Sequence, residues 1–136
     1  MNNYISEIKK AKTDMATTVV IDLDGVIVDF DNCPHRGICD YSGYPDTSNL
    51  YRDRCPLHPD ALEYLKKIKD LGLNIIIHTS RVESERSITT VWLIEHKVPY
   101  SKLVMNKPRG IFYADDLGHK FINWKDMYSE IVKVTK

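Results

Sequence analysis

Apolar positions in this chain fall into short runs that end abruptly in polar residues, separated by stretches with helical spacing. Val19-Val20-Ile21 leads into Asp22-Leu23-Asp24-Gly25-Val26. β-branched residues before an acid suit a buried strand near Thr17 to Asp22, and Gly25 suits a turn with an unusual backbone angle. Leu73 to His78 is apolar on both faces, as expected of a covered parallel strand. Lys102 to Met105 and Ile111 to Ala114 read as two further strands. Between them, Leu62, Leu65, Ile68 and Leu71 form the stripe of a helix. That helix opens near Pro59, carries lysines late and stops at Gly72. Ser80 and Glu83 have capping-box spacing before a second helix to about Lys97, which buries Ile88, Val91, Trp92 and the stem of Glu95. Val98-Pro99 ends it. Tyr4 to Met15 reads as a weakly amphipathic helix with Ile5 and Ile8 on one side, and Lys120 to Val134 as a last helix. The order predicts one α/β domain with a parallel central sheet flanked by helices.

Composition changes this picture little. A chain of 136 residues supports one core. Nineteen basic residues balance nineteen acidic ones, which removes the global electrostatic case for nucleic-acid or membrane binding. No run approaches a membrane span, and Met1-Asn2-Asn3-Tyr4 lacks signal-peptide patterning, so a cytoplasmic location is expected. The three cysteines are an odd number, which argues against a disulfide framework. They lie in an irregular stretch, about Asp29 to His58, with no strand or helix pattern of its own. Cys33, His35, Cys39 and Cys55 are of the ligand types that close a tetrahedral zinc site, with His58 a spare. Small buried cysteines are the alternative.

The candidate chemistry sits at strand ends. Asp22 and Asp24, then Thr79-Ser80-Arg81, then Asp115 and Asp116 each close an apolar run, and Lys107 precedes the last pair. Open parallel sheets bring such ends to one edge. Carboxylates from two strands can hold Mg²⁺, a hydroxyl and an ammonium can hold phosphate oxygens, and one aspartate can attack phosphorus while its neighbour protonates the leaving oxygen. Each residue also has a plainer reading. Arg81 pairs with Glu83 or Glu85 instead of a substrate anion, Asp116 caps the next helix, Lys107 is a solvated loop lysine, and Trp92 is core. His78 is a hydrogen-bonded neighbour of the site rather than a catalyst.

In these four segments the chain resembles the haloacid dehalogenase superfamily of phosphohydrolases. Asp22-Leu23-Asp24-Gly25-Val26 is similar to its first motif, Ile75-Ile76-Ile77-His78-Thr79 to its second, Lys107 to its third and Ile111-Phe112-Tyr113-Ala114-Asp115-Asp116 to its fourth. The resemblance implies Asp22 as nucleophile and Asp24 as general acid and then base, with its backbone on Mg²⁺. It implies a Rossmann-like fold, Thr79 and Lys107 on the phosphate, and Asp115, backed by Asp116, on Mg²⁺; Ser80 and Arg81 are further substrate-binding candidates, Arg81 because a planar guanidinium suits an anion. Thr79-Ser80-Arg81, Trp92-Leu93, His96-Lys97-Val98-Pro99-Tyr100, Lys107-Pro108 and Tyr113-Ala114-Asp115-Asp116 further resemble small members associated with capsule and cell-surface polysaccharide synthesis. The implied activity is Mg²⁺-dependent hydrolysis of a small phosphomonoester through an aspartyl-phosphate. The insertion over residues 29–58 is too short for a helical cap domain, so the implied site is open, suited to a bulky phosphate or to covering by a second subunit. A nucleotidase or nucleic-acid 3′-end phosphatase is the enzymatic alternative. A zinc-stabilised binding module on a silent fold is the alternative of another class.

Overall fold

A computed structural model describes residues 2–32 and 55–135, and of residues 2 and 11–14 the backbone alone. In chain order the elements are α1 (Asn2–Thr17), β1 (Thr18–Ile21), α2 (Ala61–Asp70), β2 (Asn74–His78), a 3₁₀ turn (Glu83–Glu85), α3 (Arg86–Glu95), β3 (Lys102–Val104) and α4 (Trp124–Val134). The described strands form a parallel three-stranded sheet in the order β1-β2-β3. The fold is therefore α/β, a small parallel sheet flanked by helices.

The central strand β2 buries Ile75 and Ile77, which join Ile21, Leu103, Leu65, Ile68, Trp92, Leu93 and Trp124 in one core. Helix α2 turns Ala61, Leu65 and Ile68 inward and ends before Gly72, whose φ of 83° needs a residue without a Cβ. Leu71, expected in the buried stripe, is exposed instead. Helix α4 begins at Asn123, whose Oδ1 accepts the Asp126 amide at 2.7 Å. Asp116 therefore does not cap it.

Three further expectations are corrected. Ser80 does not open a capping box, because Glu83 turns to Arg86 with two 2.8 Å hydrogen bonds. The turn is closed by Glu85, whose Oε1 accepts the Val82 amide at 3.2 Å. Helix α3 is rotated about one position from the expected stripe, burying Thr89, Trp92 and Leu93 and leaving Val91 and Glu95 exposed. Two contacts fix that rotation: the Trp92 indole donates to the Cys55 carbonyl at 2.8 Å, and Thr89 faces buried Arg81. Finally, Ile111 to Ala114 is not a strand. Ile111 is 108% and Phe112 82% exposed, and Tyr113 is folded back so that its hydroxyl donates to the Pro108 carbonyl at 2.6 Å. The apolar stripe of α1 is likewise uncovered at Tyr4, Ile5 and Ile8; the helix leads directly into β1.

Candidate functional site

Parallel register carries the site. Ile21 pairs with Ile77, so the next residues along, Asp22 and His78, come level at the end of the sheet. Beyond β2 the chain stays tied to the segment after β3. The Thr79 amide donates to the Val104 carbonyl at 2.9 Å, the Asn106 amide to the Arg81 carbonyl at 2.8 Å and the Lys107 amide to the Thr79 carbonyl at 2.9 Å. Asn106 takes a left-handed φ of 62° to make that turn, a conformation asparagine tolerates better than most residues. Thr79 is fully buried and its Oγ1 accepts the Arg81 amide at 3.2 Å. Ser80 is half-buried beside it.

Asp22 is a carboxylate under opposing influences. Burial pushes its pKa up, while the Lys107 ammonium, the Leu23 amide (2.9 Å to Oδ1) and His78 pull it down; Asp24 adds to the rise. Burial wins. His78 is held below the ordinary imidazole range, by desolvation first and then by Lys107, with Asp22 acting the other way. Asp22, His78 and Lys107 thus act on one another, although Lys107 also lies 4.7 Å from the Tyr113 ring centroid.

Asp24 is placed differently. Arg81 grips both its oxygens, Nε to Oδ2 at 2.9 Å and the second guanidinium nitrogen to Oδ1 at 2.6 Å, and a third nitrogen donates to Thr89 Oγ1 at 3.0 Å. Arg81 is 1% exposed. Its side chain is held by Asp24 and Thr89, while Glu83 pairs with Arg86 instead. Each oxygen of Asp24 keeps a second lone pair, so the pair leaves acceptor capacity at the site. Thr89 is a residue the sequence reading missed; its signal was polar spacing, four residues after Glu85 on the face that closes over Arg81.

Leu23 to Val28 forms the turn that follows Asp22 and carries Asp24. The Leu23 carbonyl accepts from the amides of Val26, Ile27 and Val28 at 2.9–3.3 Å, and Gly25 supplies a φ of 84°. Trp124 fixes this turn from the far side by donating to the Val26 carbonyl at 3.2 Å.

Asp115 and Asp116 do not join the group. Both are exposed, and Asp115 Oδ1 accepts the Leu117 amide at 2.9 Å, which together with neighbouring groups lowers its pKa. Among the described residues no three His, Cys, Asp or Glu side chains stand together as a metal-binding set. Mg²⁺ itself asks for only one or two carboxylates beside water and phosphate oxygens. Asp22, with Asp24 next to it, fits that need. Cys33, His35 and Cys39 lie outside the described residues; Cys55 is described, and its side chain is buried among the apolar core.

No family model matches the chain, and no curated protein matches it. Among solved structures, the chain is similar to a structural-genomics target from Vibrio cholerae. That match has 23% identity and a TM-score of 0.57, and covers 88% of this chain and 96% of the other. It is also similar to a chain of the Pnkp1/Rnl/Hen1 complex, with 20% identity and a TM-score of 0.51, covering 88% of this chain but 35% of that one. The chain thus spans about a third of the length of the second relative. At such identities what is shared is the fold.

Proposed function

We propose that the protein is a Mg²⁺-dependent phosphomonoesterase of the haloacid dehalogenase type, with Asp22 attacking phosphorus to form an aspartyl-phosphate. The observation that carries this reading is the meeting of Asp22, the Lys107 ammonium and buried Thr79 at one end of the sheet. A carboxylate nucleophile works on a phosphate dianion only when cations offset the repulsion between them. Lys107 would supply one such charge, and Mg²⁺ held by Asp22 and the neighbouring Asp24 would supply the other. Asp24, oriented by Arg81, would handle the proton of the leaving oxygen and then of the attacking water. Asp115 would take part only if residues 110–118 move toward the sheet edge. The substrate in this reading is a small phosphorylated metabolite, such as one used in surface-polysaccharide synthesis.

A 3′-phosphorylated polynucleotide is the second reading, favoured by the fold shared with a chain of the Pnkp1/Rnl/Hen1 complex. A net charge of zero runs against it. The test is hydrolysis of an aryl phosphate with and without Mg²⁺, in the wild-type chain and in Asp22→Asn. Turnover should require Mg²⁺ and fall by about 10³-fold or more in the variant, because the amide is no nucleophile. Near-normal turnover by Asp22→Asn would overturn the covalent mechanism.

A further inference from the structure

Lys107 reaches the site from a short turn, and two sets of contacts decide where its ammonium stands. The first set fixes the backbone. The Lys107 amide donates to the Thr79 carbonyl at 2.9 Å, and the preceding Asn106, at a φ of 62°, donates to the Arg81 carbonyl at 2.8 Å. Those bonds place the Cα and leave a flexible four-carbon stem to be ordered by something else. The second contact is aromatic. Lys107 Nζ lies 4.7 Å from the centroid of the Tyr113 ring, inside the distance at which a ring face attracts an ammonium. Tyr113 is itself anchored, its hydroxyl donating at 2.6 Å to the carbonyl of Pro108, the residue next to Lys107. The ring is thus hung from the chain one position beyond the lysine it covers. Proline there has a fixed φ, so ring and ammonium share one short frame.

In this same arrangement the ammonium acts on both Asp22 and His78. The Tyr113 contact is therefore made without drawing the charge away from the nucleophile. A ring face suits this task better than a carboxylate would. An acid beside Lys107 would order the stem but offset the charge that an incoming phosphate needs. An aromatic face holds the ammonium through its quadrupole and carries no net charge of its own. An ammonium has three donors, so those turned away from the ring stay available to phosphate oxygens. We propose that Tyr113 is a positioning residue for the phosphatase reaction: its ring face holds the Lys107 ammonium at the end of the sheet, so that the charge is in place before the substrate's phosphate arrives. The proposal rests on the phosphatase reading above and adds the group that orders its lysine. Tyr113 is 54% exposed, so replacing it tests the contact with little effect on folding.

The test separates the two. Aryl phosphate hydrolysis by the wild-type chain reports the phosphatase reading alone. The contact is read by NMR without substrate. The Lys107 Cε protons should lie upfield, under the ring current, in wild type and in Tyr113→Phe, and return to the ordinary lysine position in Tyr113→Leu. Equal shifts in wild type and Tyr113→Leu overturn the proposal whether or not the chain is a phosphatase. The catalytic consequence is read from a double-mutant cycle, with enzyme in excess over substrate where a variant is slow. Tyr113→Leu should lower kcat/KM for aryl phosphate by about two- to fivefold, the range of an exposed cation–aromatic contact. Tyr113→Phe, which keeps the face, should stand between the two. In a Lys107→Ala background the same Tyr113→Leu change should cost nothing further. An equal loss in that background would show that Tyr113 acts other than through Lys107. That result, or an unchanged kcat/KM in Tyr113→Leu, overturns the proposal and leaves the phosphatase reading intact.

Discussion

Asp22 is held where burial and charge disagree, and the disagreement is measurable. Its pKa is raised on folding, so between the ordinary carboxylate range and the raised value the native state binds more protons than the unfolded one. Stability therefore falls as pH rises through that window, and the penalty persists at neutral pH. Asp22→Asn should be more stable than wild type at pH 7 in denaturant titrations, with the difference shrinking in acid; equal stability at both pH values would contradict the burial. His78 runs the other way: its pKa is lowered, so its contribution to stability is lost as pH falls below the ordinary imidazole value. Asp22 is the one influence that raises it. In Asp22→Asn the His78 ring should therefore titrate lower still by NMR, and an upward movement would show that the two do not meet. Arg81 makes a different demand. Replacing it with Met leaves Asp24 (13% exposed in the pair) with no guanidinium, and breaking such a buried pair costs about 3–5 kcal/mol. Arg81→Lys should recover little, since an ammonium cannot reproduce the two-pronged grip. A loss under about 1 kcal/mol in either variant would mean that the pair is solvated.

At the scale of elements, the strands were legible where an apolar β-branched run met a paired neighbour, as in Val19-Val20-Ile21 and Asn74 to His78. Trp92 was rightly read as core. The rotation of α3 was not legible, because its inner face carries Thr89, a polar residue that accepts from a buried arginine whose other partner stands 57 positions away in the chain. The pairing of Arg81 with Asp24 was not legible either, since local spacing offered only nearby glutamates as protein partners. Ile111 to Ala114 failed for the opposite reason. Its composition suits a strand, but propensity alone does not make one: a strand needs a paired edge. In the structure the edge strand β1 leaves Val20 59% exposed, and residues 111–114 are exposed as well. This arrangement has an energetic signature. Ile111→Ser should change stability by no more than about 0.5 kcal/mol, as an exposed substitution does, whereas Ile77→Ala, in the core, should cost about 2–5 kcal/mol. A cost above 1 kcal/mol for Ile111→Ser would place the segment against the sheet in solution.

At the scale of the whole molecule, the described residues on either side of positions 33–54 are tied to one another and to the core. The two ends of that segment are brought together by the rest of the fold. The Asp29 amide donates to the Pro56 carbonyl at 3.0 Å, the His58 amide to the Ile27 carbonyl at 2.8 Å, Val28 bridges Leu57 in antiparallel fashion, and Trp92 holds the Cys55 carbonyl. Changing the length of a connection between two points that the frame already holds close costs little closure entropy, about 0.6 kcal/mol for each halving or doubling of length. Replacing residues 33–54 by a short Gly/Ser linker should therefore leave a domain that melts cooperatively within a few degrees of wild type. The replacement also separates the two metals the sequence suggests. Cys33, His35 and Cys39 go with the segment, so any zinc bound by them with Cys55 should be lost. The Mg²⁺ dependence of aryl phosphate hydrolysis should remain, because Asp22 and Asp24 stay in place and oxygen ligands rather than thiolates select magnesium. Metal analysis of untagged wild-type protein purified without chelators, beside the shortened chain, reads the first effect. About one zinc per wild-type chain and none in the shortened one is the expected pair of results. A zinc-free wild type with all three thiols titrating freely would return the cysteines to packing. A shortened chain that does not fold would show that the frame depends on the segment it was expected to hold.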